Sequence, residues 1–143
     1  MFNPTRDQVR DFFFEAWRKF NAQLPLSDLE KIAVEHIVRH PEYHAVLTAP
    51  ERYQAHEWLP ETGESNPFLH LSMHLSISEQ LSIDQPIGFK VRYRTLADRL
   101  GNEHAAQHAV MDCLAEMIWH AQRHNQPPDA PAYLACLDKK CLS

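Results

Sequence analysis

Val9, Phe13, Trp17 and Phe20 recur at steps of four, four and three, the repeat of a single helix face. Comparable spacings return in Leu29, Ile32, Ala33 and His36, in Phe89, Tyr93, Leu96 and Leu100, and in Ala106, Val110, Cys113, Met117 and Ala121. The 143 residues hold only three glycines, which disfavours tight hairpins and glycine-rich phosphate loops. The spacing therefore predicts an all-α fold, a compact single-domain helical bundle of about five to six helices over residues 1–143.

Local signals predict the boundaries. A first helix runs from Thr5 to about Ala22, and its Phe12 to Phe20 aromatics serve either a core or a partner or homodimer face. Ser27-Asp28-Leu29-Glu30 has capping-box spacing and starts a second helix that is expected to end or bend before Pro41. Residues 48 to 67 hold Pro50, Pro60, Gly63 and Pro67 and form the one long irregular loop. Asn66-Pro67 opens a third helix to about Ser82, apolar on nearly every side. A fourth helix ends at Gly101, a fifth runs from the Asn102 cap to about His124, and a short tail helix contains Tyr133, Leu134 and Leu137.

The net charge of −5 offers no basic field for nucleic acid, and no apolar run approaches the roughly 20 residues of a membrane span. Lys90, Arg92, Arg94 and Arg99 share no helix face and are expected to be solvated. Cys113, Cys136 and Cys141 form an odd set without a C-x-x-C pair, which points to free thiols and, with no signal-like start, to the cytoplasm.

Ten histidines stand out. H-x-x-x-H occurs at His36/His40, His40/His44, His70/His74, His104/His108 and His120/His124, five pairs where a random scatter gives about 0.7. Imidazoles four apart on a helix leave the same face one turn apart, so two can converge on one ion. The His104/His108 stripe continues through Asp112, Glu116 and His120. Neither H-E-x-x-H nor Glu-x-x-His is present, which leaves no recognised zinc-protease or di-iron signature.

The runs His40-Pro41-Glu42-Tyr43-His44, Asn66-Pro67-Phe68-Leu69-His70 with His74, Glu79-Gln80, and His104 to Trp119 resemble a proteobacterial family catalogued as a domain of unknown function, DUF1841. The resemblance spans nearly the whole chain. It implies a bacterial, one-domain protein and supplies no activity.

From the residues, the leading expectation is a bundle binding a transition metal, zinc or iron, through His70, His74, His104 and His108, with Glu116, Asp112, His40 and His44 as additional ligands or orienting partners. Three ligands with an open position would permit hydrolysis by metal-activated water, and a closed set of four would be structural. The alternative is a non-enzymatic interaction module or homo-oligomer, in which structural histidines hydrogen-bond to carboxylates such as Glu79, Asp84 and Glu116 and the Phe12 to Phe20 face meets a partner. A third reading is a pH-responsive protein.

Overall fold

Short-range caps set where the chain turns helical. Thr5 Oγ1 accepts from the Gln8 amide at 3.1 Å and Gln8 Oε1 from the Thr5 amide at 2.8 Å, opening α1 (Arg6–Asn21). Ser27 and Glu30 make the same reciprocal pair at 3.2 and 2.8 Å and open α2 (Asp28–Val38). A 3-10 turn (Pro41–Tyr43), α3 (His44–Thr48) and α4 (Pro50–Tyr53) follow. Asn66 Oδ1 accepts from the amides of Phe68 and Leu69 at the head of α5 (Pro67–Ile83). Then come α6 (Phe89–Leu100), α7 (Glu103–Arg123), capped by Asn102 at the Ala105 amide, and α8 (Ala130–Leu142). Gly101 stops α6 in the left-handed region at φ +82°, where a side chain would be strained.

This computed structural model describes residues 5–58 and 66–142. Among the described residues there are eight α-helices and no strand, so the protein is all-α. The helix count exceeds the five or six expected because the segment from Thr48 onward is not wholly irregular. Thr48 closes α3, and Pro50, preset for a first helical position, starts α4. Residues 59–65 of the expected loop lie outside the described residues.

The chain divides into two compact units, Met1–Leu75 and Ser76–Ser143, each with its own core. In the first, Phe13, Phe14, Ala16 and Trp17 of α1 are buried with Ala33, Val34 and Ile37 of α2, Leu47, Phe68 and Leu71. Much of the aromatic run is thus core, while Phe20 is 42% exposed. Arg10 is also buried, and its Nη1 donates to the carbonyls of Tyr53, Gln54 and His56 at 3.2, 2.8 and 2.8 Å, pinning the segment after α4.

In the second unit α6, α7 and α8 pack pairwise, with Phe89, Tyr93, Leu96, Val110, Leu114 and Leu137 buried. Tyr133 stacks on Phe89 at 5.8 Å and donates to Gln80 Oε1 at 2.8 Å. Lys90, Arg94 and Arg99 are exposed, as expected, while the partly exposed Arg92 pairs with Asp138 at 2.8 Å and Arg99 donates to the Lys140 and Cys141 carbonyls at the end of α8. One expectation is corrected here. Cys113 and Cys136 are not free thiols but a disulfide, because the packing of α7 on α8 brings Cα atoms 23 residues apart in sequence to 5.8 Å. Cys141 alone is free, its thiol pushed up chiefly by burial and then by Asp138.

The α2 cap is electrostatic as well as geometric. The Ser27 amide, then the Lys19 ammonium 3.1 Å away, hold the Glu30 carboxyl below its ordinary value. A depressed carboxyl stabilises the fold above the unfolded-state value, about 4.3, and that contribution is lost as pH falls through the lower folded value. Ser27→Ala is expected to cost about 1 kcal/mol in urea denaturation at pH 7. Glu30→Gln should destabilise at pH 7, and the difference from the parent should shrink as pH falls through the lowered value of the native carboxyl.

Candidate metal centre

Proline chemistry creates the first element of the site. His40 precedes Pro41, which disfavours helical backbone at its predecessor, and His40 sits at φ −123°, ψ 69°, just beyond α2. Its ring folds back so that Nδ1 meets the His36 carbonyl at 2.7 Å, one of the acceptors that a helix end leaves over. A carbonyl only accepts, so Nδ1 carries the proton and the neutral ring keeps its lone pair on Nε2.

The second element is the start of α5, where the Asn66 cap and Pro67 set His70 and His74 one turn apart. His70 Nε2 lies 3.2 Å from His40 Nε2 and 3.2 Å from His74 Nε2. The ligand nitrogens of His40, His70 and His74 all fall within 4.8 Å of one another. His74 is 0% and His40 3% exposed, whereas His70 is half-buried.

Aromatic rings hold these imidazoles in place. The His36 ring stacks on His74 at 4.6 Å and 19°, and Tyr43 lies nearly parallel to His40 at 5.3 Å and 4°. Tyr43 also presents to His70 edge-on at 5.9 Å, and burial, then Glu42, pushes its phenol up. Neither His36 nor Tyr43 was among the expected site residues. The signal for both lay in the sequence, in the His36/His40 pair and the His40-Pro41-Glu42-Tyr43-His44 run.

His44 Nε2 donates to the Ile37 carbonyl at 2.8 Å, and its ring packs on Trp17 at 4.5 Å, so it ties the end of α2 to the start of α3. In the second unit, the His104 and His108 rings stand 4.2 Å apart near the start of α7. Asp112 pairs with Lys140 at 3.4 Å, and Glu116 lies 3.8 Å from His120 on an exposed stretch. Of the named carboxylates, Asp84 is engaged by the amides of Lys90 and Gly88, and Glu79 is exposed.

Fold and site together define an all-α protein with a buried histidine cluster, none of whose described helices is long and apolar enough to cross a membrane. The chain belongs to the family described as a domain of unknown function, DUF1841, whose model matches residues 5–139. No curated protein and no solved structure matches it significantly.

Proposed function

We propose that the chain binds one transition-metal ion, zinc or iron, with Nε2 of His40, His70 and His74 as ligands. The observation that carries this reading is the pair of 3.2 Å contacts made by a single atom, His70 Nε2. One ring nitrogen offers either one N–H or one lone pair, so it cannot form two linear hydrogen bonds at once. A cation bound by all three lone pairs satisfies every nitrogen together. Nitrogens about 2.0–2.1 Å from a tetrahedral ion stand about 3.3–3.4 Å apart, and the cis edge of an octahedron at that bond length is about 3.0 Å, so 3.2 Å suits either geometry.

The donor set also favours this class of ion. Among the described residues no carboxylate joins the cluster, and imidazole nitrogen suits zinc, iron, copper or nickel rather than calcium or magnesium. His40 has the tautomer a ligand needs, held by the His36 carbonyl in the manner of partners that orient metal-binding histidines. Three protein nitrogens leave a coordination position for water, which zinc would bring towards a pKa of about 7.

The test is metal content by mass spectrometry after tag-free purification, followed by reconstitution of the stripped protein with zinc or iron(II). About one equivalent per chain is expected. Less than about 0.1 equivalent after reconstitution with either ion would overturn the proposal.

A further inference from the structure

A cavity of about 340 Å³ opens in the second unit between the C-terminal half of α7 and the start of α8. That is the lower end of the range for small-molecule pockets, about 300 Å³ and upward. Its lining includes both members of the disulfide, Cys113 and Cys136, together with Met117, His120, His124 and Asp129. The two cysteines are not equivalent in exposure. Cys113 is 1% exposed on the buried face of α7, whereas Cys136 is partly exposed, so a molecule entering from solvent meets Cys136 first.

Exchange needs what this cavity supplies: access to one sulfur, a second sulfur able to leave, and groups that can move a proton. We propose that the Cys113–Cys136 disulfide is a thiol–disulfide exchange site for low-molecular-weight thiols. A thiol RSH enters and gives its proton to an imidazole of the lining, and its thiolate attacks Cys136 Sγ. The RS–Sγ bond forms as the bond between the two cysteine sulfurs breaks, and the Cys113 thiolate leaves with the electron pair and takes up the proton. A second thiol attacks the sulfur of R in the mixed disulfide, releasing RS–SR and Cys136 as a thiol. Two electrons and two protons have then passed from two thiols to the protein, and a small disulfide of the same class reverses the sequence.

His120 and His124, both exposed, place two imidazoles in the lining of the cavity beside the disulfide. This site is independent of the metal reading and shares no residue with it.

The experiment uses the full chain carrying Cys141→Ser, so that only the two paired cysteines react. Its reduction by 2-mercaptoethanol is followed by alkylation and mass spectrometry, with circular dichroism confirming that the helices persist. The expected rate rises in proportion to thiol concentration, and it overturns the proposal if it is independent of thiol and equal to the unfolding rate. With 2-hydroxyethyl disulfide, the Cys113→Ser protein should form a mixed disulfide on Cys136 at least about tenfold faster than the Cys136→Ser protein forms one on Cys113. Equal rates would refute the assigned order of attack. Ala132→Trp, at an exposed α8 position lining the cavity, should slow reduction about tenfold without lowering the melting temperature, and an unchanged rate would show that the cavity is not the route.

Discussion

His70→Ala is expected to weaken zinc binding by on the order of a thousandfold, while the fold survives. In the proposed site His70 is the residue whose Nε2 lies against both of the others, so its loss leaves His40 and His74 without the nitrogen between them. Two imidazoles alone make a poor zinc site, since tetrahedral sites in proteins use three or four protein ligands. Its half-buried position makes truncation tolerable to the core. His44→Ala supplies the contrast: it should leave affinity within about threefold and instead cost about 1 kcal/mol of stability, because the Ile37 carbonyl loses its donor. Competition against a chromophoric chelator measures both. Affinity should also fall on acidification, because protons compete with the ion for the lone pairs of the three proposed ligand nitrogens. A His70→Ala protein that binds as tightly as the parent would remove His70 from the ligand set.

Phe68→Ala is expected to destabilise the protein by about 3–5 kcal/mol in chemical denaturation, the range for emptying a buried aromatic site. Phe68 is 3% exposed and meets Phe13, Phe14 and Trp58 at 6.4, 5.3 and 5.6 Å between ring centroids. The Arg10 guanidinium lies 5.0 Å over the Phe68 ring and 5.1 Å over Trp58. Burial already lowers the Arg10 pKa, so losing one aromatic wall removes compensation from a desolvated charge. Phe68 also stands two residues before His70 in the first turn of α5, and a loosened turn should weaken metal binding as well. Phe20→Ala, at a ring 42% exposed, should change stability by less than about 1 kcal/mol. Equal effects at Phe68 and Phe20 would mean that the first unit's core is not packed as described.

Much of this fold was legible because its signals are local. Thr5, Ser27, Asn66 and Asn102 each cap a helix through amides two or three residues away, so the bond that starts the helix is written within one turn of it. The same holds for His70 and His74, which four-residue spacing places on one face of α5 whatever surrounds them. The short α3 and α4 were missed because a cluster of prolines and polar residues serves a helix start as well as a loop, and only the neighbouring packing selects between them.

The amino-acid sequence by itself determined the helical class, most helix boundaries and the supply of paired imidazoles, since each follows from hydrogen bonds and side-chain directions spanning a few residues. Only the tertiary structure decided which imidazoles meet. His40 reaches His70 across 30 residues, and Cys113 reaches Cys136 across 23, by the packing of separate helices. His40 and His44 are adjacent members of one sequence pattern, yet His40 joins the cluster and His44 braces α2 against α3. Spacing sets the face on which a side chain emerges, but the partner on that face depends on how apolar surface from distant segments is buried, and no short-range rule encodes that.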